Sequence, residues 1–205
     1  MKKIIRKYGY NSLMGTNLNI LYQIGSIIGI ILTTQIISGL ILTYNYIPEI
    51  SKAYTSIDKI TREIPYGYII RTIHINGAGL MFILVYIHII RGIIYGSHTR
   101  YRRKTWIIGV IIIITMIITA FLGYSLVYGQ MSYWGIAVIT NIITIIPKYG
   151  KEIVEYLYGG YNIGNTTLSR IYSLHYIIPF ILAGLTIAHI MTLHKVRRIK
   201  PIRTK

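Results

Sequence analysis

The sequence predicts an all-α protein, a transmembrane four-helix bundle, and two observations carry that prediction. Of its 205 residues 53% are hydrophobic, and they gather in four runs, 18–46, 67–95, 105–127 and 169–193, each longer than the roughly 20 residues that cross a bilayer core. Charge then sorts the connections into two sides. Lys2, Lys3, Arg6 and Lys7 precede the first run, and Arg91, Arg100, Arg102, Arg103 and Lys104 lie around the turn from second to third. Lys195, Arg197, Arg198, Lys200, Arg203 and Lys205 follow the fourth, so fifteen of the twenty-two cations share one side. All five acids, Glu49, Asp58, Glu63, Glu152 and Glu155, fall in the other two connections. This is the positive-inside pattern for an even number of crossings, with both termini on the inner side. The net charge of +17 therefore reports orientation in lipid, and no nucleic-acid partner is expected.

Taken in order, the start "MKKIIRKYGYNSLMGTNLN" is basic like a signal peptide, but the apolar run behind it is too long for a signal core and lacks a small-residue cleavage site. It stays as the first span. Between the third and fourth spans, 131–158 reads as a surface helical segment; its first part, Met131 to Ile146, is an apolar, partly amphipathic stretch between Gly-rich breaks that suits the membrane surface. With no cysteine, disulfides, iron–sulfur ligation within this chain and thioether attachment of haem are excluded.

Histidines give the bundle its chemistry. His74 and His88 stand fourteen residues apart in the second span, and His175 and His189 repeat the interval in the fourth. Fourteen residues of α-helix return a side chain to within about 40° of its starting direction, about 21 Å along the axis. The second and fourth spans run the same way, so His74 should meet His175 at one depth and His88 should meet His189 at another. A single membrane histidine is commonly a satisfied polar residue, but a polar core gives no reason for the same interval twice. Two neutral imidazoles at one depth suit iron in a porphyrin, which takes an axial ligand on each face; zinc would want four ligands at that depth. Gly25 and Gly39 in the first span, and Gly109 and Gly123 in the third, recur at the same interval. Glycine inside a helix permits close approach, either of another helix or of a flat macrocycle. The same interval in all four spans predicts two haems stacked between them. Arg71 and Arg91 bracket the second span, where they can snorkel or pair with haem propionates.

The stretches "RTIHINGAG", "YIHIIRGIIYGS", "TAFLGYSLVYGQMSYWGIAVITN" and "TTLSRIYSLHYIIPF" closely resemble the N-terminal half of the mitochondrial cytochrome b family, the core subunit of ubiquinol–cytochrome c reductase. The resemblance runs from about Tyr22 to His194. It implies two non-covalent b-type haems, a low-potential one on His74 and His175 and a high-potential one on His88 and His189. It further implies haem contact for Gly25, Gly39, Gly109 and Gly123 and propionate contact for Arg71 and Arg91. Phe121, Tyr124, Met131 and Gly135 match part of its quinol-oxidation pocket, and Tyr22, Ser26 and His194 part of its quinone-reduction pocket. His194 lies five residues past His189, about 140° around the helix, and so cannot serve the same iron. His98 has no such role. Implied partners are ubiquinone, the Rieske iron–sulfur protein, cytochrome c1 and membrane lipid, in a dimeric complex of the mitochondrial inner membrane with both termini toward the matrix.

Three departures accompany the resemblance. Val127 and Tyr128 stand where the family usually has Pro and Trp, and the turn "SHTRYRRKTW" is longer and more basic than usual. The sequence ends at Lys205, without the Pro-Glu-Trp-Tyr element and the further helices that complete both pockets. A separate chain carrying those helices is therefore expected. The chloroplast-type relative is also short, but its fourth-span histidines are spaced one residue wider and a cysteine attaches an extra haem. A diheme anchor of a dehydrogenase or hydrogenase needs no "GQMSYWG" segment, and a transporter with a histidine proton wire would hold no haem.

Overall fold

The computed structural model describes residues 23–99 and 102–195. Seven helices follow one another, and no strand occurs among the described residues: α1 Ile24–Thr43, α2 Ile50–Arg62, α3 Gly67–Ile94, α4 Arg103–Ser125, α5 Gln130–Ile143, α6 Gly150–Tyr158 and α7 Asn165–Lys195. Helices α1, α3, α4 and α7 are long and apolar enough to cross a membrane. They are spaced by the polar, Gly- and Pro-containing connections that break the hydrophobic pattern.

Local chemistry sets the breaks. Pro48 ends the extended link after α1, and α2 starts behind Glu49, whose backbone is extended. Helix α2 buries Ala53, Ser56 and Ile60, one stripe at intervals of three and four residues. Off that stripe lie the exposed pairs Lys52–Glu49 at 2.7 Å, at the start of the helix, and Arg62–Asp58 at 2.6 Å. Lys52 and Ser51 donate to the Glu49 carboxylate and hold its pKa below the usual range. Helix α3 begins at Gly67, where any side chain would run into the Ile60 carbonyl of α2. Ser132 of α5 donates to the Tyr124 carbonyl at 2.8 Å, folding the surface segment back onto the end of α4. At the end of α6, Gly159 takes a left-handed φ of 71°, and both its N–H and that of Gly160 reach the Glu155 carbonyl.

The spans pack as two pairs, α1 on α3 and α4 on α7. Between the pairs lies a compact apolar cluster of Met81 and Val85 from α3, Met116 from α4 and Leu182 from α7. In sequence each of these lies inside one of the fourteen-residue intervals, between His74 and His88, Gly109 and Gly123, or His175 and His189. The bundle core is therefore a layer at mid-depth, with a histidine level on either side of it. A second cluster, Leu122, Ile136 and Ile171, fastens α5 to α4 and α7 at the His74–His175 end. Much of the remaining Ile surface is exposed, as for Ile30, Ile83, Ile94 and Ile187, which suits helices bathed in hydrocarbon.

Candidate functional site

The histidines meet in the predicted pairs. Ring centroids of His74 and His175 are 6.4 Å apart, and those of His88 and His189 are also 6.4 Å apart. This spacing tests the fit of a metal porphyrin. Two metal–imidazole bonds of about 2.0 Å, plus the distance from each nitrogen to its ring centre, give roughly 6 Å between centroids. Direct packing of one imidazole on another requires no such equality at two depths. The ring planes are turned by 88° in one pair and 55° in the other.

Tautomers decide whether a nitrogen is available at each ring. His175 Nδ1 lies 2.9 Å from the Thr119 carbonyl, which can only accept, so Nδ1 carries the proton and Nε2 keeps its lone pair. His74 Nδ1 lies 2.9 Å from Ser38 Oγ. That hydroxyl donates to the Thr34 carbonyl at 2.7 Å, so it accepts from His74, again leaving Nε2 with its lone pair. At the other level, His88 Nδ1 and His189 Nδ1 are buried without a hydrogen-bond partner.

The glycine ladder faces the rings. A Cβ built on Gly39 would sit 3.1 Å from His74 Cε1, one on Gly123 2.6 Å from His175 Cε1, one on Gly25 3.3 Å from His88 Cε1 and one on Gly109 3.2 Å from His189 Cε1. Each glycine thus makes room for one histidine of the neighbouring helix in its own packed pair. The interval of fourteen recurs in the first and third spans because the imidazoles recur in the second and fourth.

Other predicted residues are spread about the two ends. Arg71 donates to Thr61 Oγ1 of α2 at 3.3 Å, and Arg91 lies one turn beyond His88. Tyr124 and Gly135 come together, a Cβ at position 135 falling 3.6 Å from Tyr124 Cε1. Met131 beside them is 75% exposed, and Phe121 packs inward against the Leu122 cluster. An open recess of about 410 Å³ adjoins this corner, lined by Tyr128, Gly129, Gln130, Tyr133 and Trp134 rather than by the four predicted residues. Tyr128 adopts a left-handed φ of 50° there. Ser26 and His194 are exposed, on the first turn of α1 and the last turn of α7; Tyr22 lies outside the described residues. His98 packs against Trp106, with ring centroids 5.9 Å apart.

Sequence reasoning passed over Ser38 and Thr119, although each had a signal. Ser38 is a polar residue in an apolar helix directly before Gly39, and Thr119 lies one turn before Gly123. Pro179 was also passed over; lacking an N–H, it leaves the His175 carbonyl without its helical donor.

Comparison with known proteins adds an independent line. The family model described as cytochrome b/b6/petB matches residues 10–197. The chain is similar to a cytochrome b of Talaromyces marneffei, 45% identical over 94% of this chain and 50% of that protein. It is likewise similar to a cytochrome b of Rickettsia bellii (strain RML369-C), 49% identical over 87% of this chain and 45% of that protein. Among solved structures, a chain of a hyperthermophilic respiratory complex III aligns with a TM-score of 0.88 at 32% identity, covering 100% of this chain and 56% of that one. The chain thus spans about half the length of the curated relatives it matches.

Proposed function

The chain belongs to the cytochrome b family, and from that premise we propose that it is the diheme electron-transfer part of a ubiquinol–cytochrome c reductase. The observation that carries this reading is the equal 6.4 Å separation of His74 from His175 and of His88 from His189. His74 and His175 would hold one b-type haem, and His88 and His189 the other. When bound, each haem supplies a one-electron centre whose potential depends on its axial ligands and their hydrogen bonds.

The chain's own residues set the conditions. Thr119 and Ser38 fix the tautomers of one ligand pair, so that the Nε2 of each ring keeps its lone pair for a metal. Gly25, Gly39, Gly109 and Gly123 let the rings approach the neighbouring helices. Met81, Val85, Met116 and Leu182 keep water out of the layer between the two levels. Arg71 and Arg91, at the ends of α3, would pair with propionates.

Tyr124, Met131 and Gly135, with Phe121 behind them, would form this chain's share of a quinol-oxidation pocket. Ser26 and His194, with Tyr22, would form its share of a quinone-reduction pocket. In this reading the family's further helices complete both pockets, and the assembly includes a Rieske protein and cytochrome c1. The expected setting is the mitochondrial inner membrane, with the basic connections toward the matrix. The test is a reduced-minus-oxidised spectrum of the purified complex, with haem quantified against this chain. Two low-spin b-type haems per copy are expected; fewer than two would reject the assignment.

A further inference from the structure

The fourteen-residue repeat links every element of the histidine ladder, so a position where its chemistry fails to repeat distinguishes the two levels. On α4 the residue type repeats: Thr119, whose carbonyl accepts from His175, is matched fourteen residues earlier by Thr105. On α1 it does not. Ser38, which accepts from His74, is matched fourteen residues earlier by Ile24. Both are buried, Ser38 at 5% exposure and Ile24 at 6%, and each precedes the glycine that faces the same ring. The hydroxyl at one depth and the hydrocarbon at the other are thus presented from equivalent places.

Ser38 is committed to the acceptor role. Its own proton goes to the Thr34 carbonyl at 2.7 Å, with the Gln35 carbonyl at 3.2 Å, which leaves an Oγ lone pair for the His74 Nδ1–H at 2.9 Å. An acceptor on the distal nitrogen of a metal-binding imidazole raises the basicity of the coordinating nitrogen and fixes the ring's orientation. A more basic ligand stabilises the oxidised, more positive metal. Ile24 offers His88 neither effect, and His88 Nδ1 has no hydrogen-bond partner.

We infer that Ser38 is a positioning residue that tunes the His74 level through the His74 Nδ1–H, and that its replacement in the repeat by Ile24 is a built-in source of inequality between the two levels. The inference rests on the two-haem reading above. Its test is an equilibrium redox titration of the isolated complex containing this chain, following the two b-type components separately. Ser38→Ala should raise the midpoint of one component, moving its reduced-to-oxidised ratio by about tenfold at a fixed ambient potential, and leave the other in place. Ser38→Thr, which keeps the hydroxyl, should restore the original value. Ile24→Ser should lower the midpoint of the other component. If Ser38→Ala loses its component while Ser38→Thr retains it, the hydrogen bond is again supported. Unshifted components in Ser38→Ala, or equal effects of Ala and Thr, would overturn the inference and leave the two-haem reading standing. Failure to find two b-type components in the unaltered complex would overturn both.

Discussion

The two histidine levels have the same ring separation and different surroundings. At the level of His74 and His175 both Nδ1 atoms have hydrogen-bond acceptors, the Ser38 hydroxyl and the Thr119 carbonyl. At the level of His88 and His189 both Nδ1 atoms are buried without one. The glycines follow the same division. The Cβ positions at Gly39 and Gly123 come closer to their rings, 3.1 and 2.6 Å, than those at Gly25 and Gly109, at 3.3 and 3.2 Å. A helical repeat can therefore place two equivalent ligand sets while neighbours one position away make them unlike. Spacing belongs to the helix, whereas ring orientation and basicity belong to whatever side chain the adjoining helix presents.

The largest effect expected from breaking this comparison is at the ligands. His74→Ala should remove one of the two b-type spectral components and spare the other, and His88→Ala should do the reverse; haem quantified per chain is the measure. Loss of both components from either variant would mean that the levels do not bind independently.

Next comes the layer that separates them. Leu182 is 2% exposed within the mid-depth cluster, and Leu182→Ala should cost about 2–5 kcal/mol by opening a cavity there. Thermal denaturation of the complex, followed by loss of the haem absorption, would register it; an unchanged transition would show that α4 and α7 do not depend on this contact.

The glycines sharpen the difference itself. Gly123→Ala should destabilise the complex by about 1–3 kcal/mol through overpacking against His175, and Gly109→Ala by about 1 kcal/mol or less. Comparing their melting temperatures at matched expression checks the order, and a larger effect at Gly109 would contradict it. The smallest effects should come from single ties at the bundle ends. Tyr46 donates to the Leu126 carbonyl at 2.8 Å near the His74 level, and Thr105 donates to Thr192 at 3.2 Å near the other. Tyr46→Phe should cost about 1 kcal/mol and Thr192→Val about 0.5 kcal/mol, read from the same melting curves.

Much of the site could be read from the residues alone because its period is that of the helix. His74, His88, His175 and His189 lie in uninterrupted apolar runs, so their spacing converts directly to direction and depth. Helix α2 was not anticipated. Its stripe of Ala53, Ser56 and Ile60 is short and contains a serine, and it becomes a buried face only when α3 packs beneath it. The 131–158 segment divides into α5 and α6 at the turn through Ile146, Pro147 and Tyr149, where α6 begins at Gly150 against the Ile143 carbonyl. The glycine interval was legible, but the imidazole that each glycine faces was not. Whether a glycine makes room for a macrocycle or for a neighbour's imidazole depends on which helices pair, and that information is not local.

The sequence by itself determined the four apolar helices, the two depths at which imidazoles stand and the uneven division of cations among the connections, because each follows from residue type and a fixed rise per residue. Only the tertiary structure decided that α1 packs on α3 and α4 on α7, and hence that Ser38 rather than some other hydroxyl reaches His74 while Gly25, next to Ile24, faces the ring of His88. Packing between helices fixes a hydrogen bond to within a few tenths of an ångström, and no periodicity within one helix carries that information.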